Sequence, residues 1–245
     1  MSTLLSPNQT TPLPLSWLFL PWVGFMVAQL VIGTIAAIGQ GDPHGIVTGW
    51  GVFPDFTTFA IVVYVLGSCV AFGVLYALLR SRGLRWSSVG LRGTLGWKGA
   101  ALAGLAVVVG SVLYLAVEAL TGYVGIPMFW YEGGRSSAAL MSVGGTALVL
   151  VFAVLLGPVV EEVIFRGYVL TALLGRGLRL RSALLLSALI FMSVHVFYGP
   201  GVLVFIFFWA FIPALLYHRT GRLHSAVLFH VVNNFIAFVV VPLTL

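Results

Sequence analysis

Charge is what this sequence has least of. Only 7% of its 245 residues are Asp, Glu, Lys or Arg, six acidic and twelve basic, where a soluble domain carries about 25%. That excludes an ordinary water-soluble globule. Cysteine is nearly absent as well: Cys69 stands alone, which leaves no intramolecular disulfide and no thiolate metal cage. Within an apolar run its default role is a buried structural thiol. Residues 1–16 contain no Lys or Arg, so they lack the basic start of a cleavable signal peptide. Pro12 and Pro14 make them a short extended tail. There is no internal repeat to support an inverted-repeat transporter, and no H-E-x-x-H zinc motif.

What is abundant is hydrocarbon: 60% of the residues are hydrophobic and the mean hydropathy is +1.12. The apolar runs have the length of helices, not the roughly 10-residue alternating segments of a barrel. The fold class is therefore all-α, a polytopic transmembrane bundle of about seven helices, predicted at 17–38, 57–79, 99–120, 143–174, 182–197, 202–217 and 224–241. The fourth region exceeds the roughly 20 residues that a span needs. Gly157-Pro158 lies inside it and either kinks it or splits it, which would make eight helices. After the tail, 17–142 carries no motif and 143–245 carries all of them.

The few charges test this count. With the N-terminus cytoplasmic, three loops fall inside: one with Arg80, Arg82, Arg85, Arg92 and Lys98, one with Arg176, Arg179 and Arg181, and one with Arg219 and Arg222. Asp42, Asp55, Glu132 and Arg135 fall outside. Every loop obeys the positive-inside rule. The net charge of +6 thus reflects orientation in a lipid bilayer and calls for no nucleic-acid partner. Arg far outnumbers Lys, and Gly and Ala are frequent, as in a GC-rich bacterial source; the expected location is the bacterial cytoplasmic membrane. Trp86 and Trp97 belong at headgroup level, and His218 and His224 at loop edges read as interfacial; His44 is a loop residue.

That leaves the polar residues inside the apolar runs. Glu161 and Glu162 stand side by side after Gly157-Pro158, with Arg166 behind them. Glu162 and Arg166 are i,i+4 and share a helix face; Glu161 and Arg166 are i,i+5, about 140° apart at α-helical spacing. Arg166 can neutralise Glu162, while Glu161 has no partner on its own helix and suits a general base. The bland alternative is a Glu-Arg clasp that pins helix packing. Phe191 and His195 are i,i+4 on the fifth helix, and His230 and Asn234 are i,i+4 on the seventh. A lone His would more often bond across helices, and Asn233 points elsewhere and serves to bond a neighbouring helix. Ser187 and Ser193 are ill placed to serve His195 as nucleophile. Together a Glu pair, Arg, two His and Asn on three late helices form a set that can hold and deprotonate a water and stabilise an oxyanion.

These residues resemble a known family, the CAAX prenyl endopeptidase and bacteriocin-processing (CPBP, abortive-infection) intramembrane proteases. Its marks, E-E-x-x-x-R, F-x-x-x-H and H-x-x-x-N, stand in order at Glu161-Glu162-x-x-x-Arg166, Phe191-x-x-x-His195 and His230-x-x-x-Asn234. The resemblance implies a membrane endopeptidase acting on a membrane-associated protein or peptide. In it Glu161 activates water, His195 helps hold it, His230 and Asn234 stabilise the oxyanion, and Glu162 and Arg166 support them. It also makes Zn2+ on Glu161, His195 and His230 a candidate cofactor, with a metal-free glutamate-activated water as the alternative. Two other classes compete: a non-catalytic membrane scaffold or bacteriocin-immunity protein that retains the fold, and a proton or ion transporter using Glu161 and Arg166. Nothing in the residues names the substrate or an oligomeric state.

One expectation conflicts with a shared site. At about 1.5 Å per residue from the cytoplasmic helix ends, Glu161 and His195 lie roughly 20 Å up and His230 only about 10 Å. A separation of more than about 10 Å between His230 and both partners would dissolve the site.

Overall fold

The computed structural model of the protein describes residues 23–24, 26–27, 30–31, 56–129, 149–195 and 199–241, with the backbone alone at 56–66 and 149. All regular structure among them is helical. Most of predicted helix one lies outside the described residues, although its six described positions are helical. The same applies to the outer-side residues Asp42, His44, Asp55, Glu132 and Arg135. Predicted helices two to seven are all present. We number them α1 (Phe56–Ser81), α2 (Trp97–Tyr123), α3 (149–175), α4 (Leu180–Ser193), α5 (Pro200–Thr220) and α6 (Leu223–Val240). Among the described residues α2, α5 and α6 are long and apolar enough to cross a bilayer.

Proline and glycine shape these helices more than their termini do. The α3 rod does not split at Gly157-Pro158. It runs as Val149–Leu156 (π), Gly157–Glu161 (α), Glu162–Leu170 (π) and Thr171–Gly175 (α), and Leu156 keeps helical angles of φ −69 and ψ −43. The eight-helix alternative is therefore not realised. The wider i→i+5 turn absorbs a residue that cannot make the ordinary bond. Predicted helix six is also continuous in direction but has a one-residue break in its bonding pattern: Pro200–Trp209 and Phe211–Thr220 meet at Ala210, which keeps φ −59 and ψ −23. Pro213 explains the break, because it has no N–H for the Trp209 carbonyl at i−4 and its ring crowds that carbonyl. The start of α5 is also held from outside. The Gly201 and Val202 amides donate to the Pro127 and Met128 carbonyls at 3.1 and 3.0 Å, satisfying two of the donors that a helix start leaves free.

Helix α2 packs chiefly on α6 and α5. Its inner stripe is Gly99, Ala103, Ala106 and Gly110, one face at helical spacing. A methyl at Gly99 would come 2.6 Å from the Ser225 hydroxyl, and one at Gly110 would come 3.4 Å from the Phe229 ring. Small residues let backbones approach in a medium where no hydrophobic force drives helices together. The outer face of α2 is large and apolar: Leu105, Val108, Val112 and Leu115 are all exposed. On α1, Ala71, Leu75, Leu78 and Leu79 point inward, and Cys69 lies on the other face, exposed. The expectation of a buried thiol is corrected by that facing. Trp97 stays exposed as an interfacial residue should, whereas Trp86 turns in against Phe72 and Tyr76, with ring centroids 5.8 and 6.5 Å away. His218 and His224 are partly buried.

The connection between α1 and α2 is folded in under the bundle. It contains a 3-10 turn, Trp86–Val89, closed by Gly90 at φ 85, a left-handed angle that favours glycine. The Leu223 amide donates to the Gly90 carbonyl at 3.0 Å. Arg92 Nε donates to the Gly221 carbonyl at 3.0 Å, and Arg222 to the Thr94 carbonyl at 2.7 Å. Leu223, the first residue of α6, is fully buried. This connection is the seat of α6.

Candidate active site

Three helices bring the motif residues together, and the buried ion pair among them is built on α3. Every residue from Glu162 to Leu170 is buried, which makes Glu162 and Arg166 a desolvated pair. Arg166 NH1 lies 3.1 Å from Glu162 Oε1 as the i,i+4 spacing predicts, with the two side chains 1% and 0% exposed. Arg166 is enclosed from other directions as well. Its NH2 donates to the Ala210 carbonyl at 3.2 Å, at the break in α5, and its guanidinium lies over Phe191 at 4.2 Å and Trp209 at 5.7 Å. Aromatic faces attract the cation and keep water off it.

Glu161 is different. Its side chain is 22% exposed, and it has no contact with Arg166 of the kind Glu162 makes. It is not isolated, however. His230 reaches across from α6 and spans both carboxylates: Nδ1–H donates to Glu162 Oε1 at 2.9 Å, and Nε2 lies 3.7 Å from Glu161 Oε2. The i,i+5 offset from Arg166 left Glu161 without a partner on its own helix, and α6 supplies one.

The conflict in depth disappears for a definite reason. The arithmetic assumed that every helix starts at one plane. A methyl on Gly167 would come 2.6 Å from the Val89 carbonyl and 3.6 Å from Leu223, so α6 begins beside Gly167 and not beside Gly175. From there Glu161 is six residues up α3 and His230 seven up α6, about 9 and 10 Å at 1.5 Å per residue. The raised start is the seat described above.

His195 is not inside a helix as expected. α4 ends at Ser193, and His195 sits in the turn that follows, its amide bonded to the Met192 carbonyl at 2.9 Å. The spacing from Phe191 still does its work. His195 Nδ1–H donates to the Phe191 carbonyl at 2.8 Å, and the two rings lie 4.7 Å apart. That bond assigns the tautomer and leaves Nε2 with a lone pair. Ser187 is occupied with the Phe165 carbonyl at 3.4 Å, and Ser193 is bonded to Ile190 at the surface, so neither is arranged as a nucleophile.

Helix α6 presents His230 and Asn234 to α3 together. Asn234 Nδ2 donates to the Ala153 carbonyl at 2.9 Å. Asn233 bonds a neighbouring helix as expected: Trp209 Nε1 donates to its Oδ1 at 3.1 Å. Trp209 itself was not foreseen. Its ring packs edge-on to His230 with centroids 4.6 Å apart and stacks on Phe191 at 5.8 Å. A tryptophan in an apolar run needs an acceptor for its N–H when buried, and Asn233 was the available signal. Glu118, another acid on a spanning helix, lies away from this cluster, where Tyr114 donates to it at 3.4 Å.

The arrangement joins a partly exposed carboxylate, an imidazole fixed by a buried carboxylate and a second imidazole fixed by a backbone carbonyl. Residues 143–236 match the family model of the Rce1-like type II CAAX prenyl endopeptidases. All three motifs fall inside the matched region. No curated protein and no solved structure matches the chain.

As a zinc centre the cluster is incomplete. Glu161 Oε2 and His230 Nε2 are near enough to serve one ion, but a catalytic zinc takes three protein donors. Among the described residues no three of His, Cys, Asp and Glu gather at such spacing. His230 Nδ1 and His195 Nδ1 are each committed elsewhere.

Proposed function

We propose that this protein is an intramembrane endopeptidase that hydrolyses a peptide bond of a membrane-associated protein or peptide, using a water activated by Glu161 and His195. The observation that carries this reading is the convergence of Glu161 and His230 from separate helices, 3.7 Å apart, beside a buried Glu162–Arg166 pair. Glu161 takes a proton from the water, which His195 holds through its Nε2 lone pair. The oxygen adds to the substrate carbonyl. His230, its Nδ1–H on Glu162, offers Nε2 to receive the proton from Glu161. As an imidazolium it stabilises the oxyanion by donating a hydrogen bond, and it then protonates the departing amine as the C–N bond breaks. Glu162 and Arg166 position His230. No step runs through a metal.

The test uses purified protein in detergent, a quenched peptide panel that includes prenylated C-terminal peptides, and metal analysis of the same samples. Wild type should cleave at least one peptide, and Glu161→Gln should lose about a thousandfold, within the range for removal of a general base. Cleavage that survives Glu161→Gln rejects the proposed base. A folded wild type inactive on every peptide favours the scaffold or immunity reading. Stoichiometric zinc in active wild type, lost in His230→Ala, replaces the metal-free route.

A further inference from the structure

We infer that Asn234 is a positioning residue for the motif helix, serving as the donor that Pro158 cannot supply. In the i→i+5 register of Val149–Leu156, the next bond in the series runs from the amide of residue 158 to the carbonyl of residue 153. Residue 158 is proline and has no N–H. The series stops there: the rod changes to α geometry at Gly157, and residue 158 offers the Ala153 carbonyl no donor. Asn234 Nδ2 lies 2.9 Å from that oxygen. In hydrocarbon an unmet backbone carbonyl is costly, and prolines persist in spanning helices where a neighbouring helix answers the freed group. Here the answering group comes from α6, one turn beyond His230.

The geometry gives this bond a role in the site. Glu161 is three residues after Pro158 at the end of the α segment, and His230 is one turn before Asn234 on α6. The Asn234–Ala153 bond therefore ties α3 to α6 on one side of the Glu161–His230 pair, and the seat at Gly90 ties α6 on the other. One N–H of the carboxamide is committed to the backbone, and through that bond Asn234 sets the spacing of Glu161 and His230.

The kinetic part of the test rests on the protease reading; the stability part does not. Four proteins are compared in detergent: wild type, Asn234→Leu, Pro158→Ala and the double variant. Asn234→Leu should lower the midpoint of thermal unfolding by about 5 °C, the shift expected for one unmet buried carbonyl in a chain of this size. Pro158→Ala, which restores an N–H on α3, should by itself shift it little. The double variant should recover most of the loss. Turnover should follow the same pattern, falling about tenfold in Asn234→Leu with KM little changed and returning to within about threefold of wild type in the double variant. Thermal loss that Pro158→Ala does not rescue overturns the pairing. Rescue of stability without rescue of turnover overturns the positioning role and makes Asn234 a direct oxyanion donor. If no variant and no wild type cleaves anything, the thermal cycle still decides the pairing, and the failure belongs to the protease reading.

Discussion

Helices α2 and α3 are made of similar residues and live under opposite rules. α2 is 27 residues of regular helix with five of them buried; its outer face meets lipid, and a stripe of small residues forms its closest approach to protein. The π segment of α3 is nine residues, all buried, and it carries both members of an ion pair. Composition alone does not separate them. What separates them is enclosure: Glu162–Leu170 of α3 has neighbours all round, so each polar group on it needs a partner of defined position, whereas a leucine on α2 needs only hydrocarbon. Costly chemistry sits where the protein, and not the lipid, supplies the surroundings.

The contrast can be broken or sharpened by substitution. The largest effect belongs to Glu161→Gln on α3, with cleavage down about a thousandfold and the unfolding midpoint close to wild type, because Glu161 is partly exposed and the amide keeps its shape. Next comes Arg166→Met, which strands Glu162 in a dry site; breaking one side of a buried pair costs about 3–5 kcal/mol, seen as a large fall in thermal midpoint. Adding Glu162→Gln to Arg166→Met should restore much of it. Gly167→Ala should cost about 1–3 kcal/mol, since the methyl would meet the Val89 carbonyl at 2.6 Å. Gly104→Ala on α2 has open space around it and should be neutral or stabilising by up to about 1 kcal/mol. Smallest of all, Val112→Ala on the lipid face of α2 should stay within about 0.5 kcal/mol of wild type. If Gly104→Ala proved as harmful as Gly167→Ala, the lipid-facing reading of α2 would fail.

Much of this was legible in the residues. The six described helices stand close to their predicted spans, and the Glu162–Arg166 pair follows from i,i+4 spacing alone. Phe191 and His195 face one another although His195 lies past the helix end, because one further turn continues the same facing. What was not legible depends on relations between helices. The height of His230 was misjudged because nothing in 224–241 says that α6 starts on a folded-in connection contributed by residues 86–93. The contact of His230 with both glutamates is a relation between α6 and α3, which spacing within either helix does not announce. Trp209 was passed over because a tryptophan among apolar residues looks like packing until its partners are known. Pro158 leaves α3 continuous and Pro213 marks only Ala210 in α5; spacing along one helix does not say how its neighbours accommodate a proline.

The seat under α6 has a consequence in time. A chain is synthesised and begins to fold from its N-terminal end, so the Trp86–Val89 turn and Gly90 exist before Glu161, His195 or His230 has been made. The level to which the site is later adjusted is laid down by a stretch that takes no part in the chemistry. The motif residues arrive last, onto a datum that is already there.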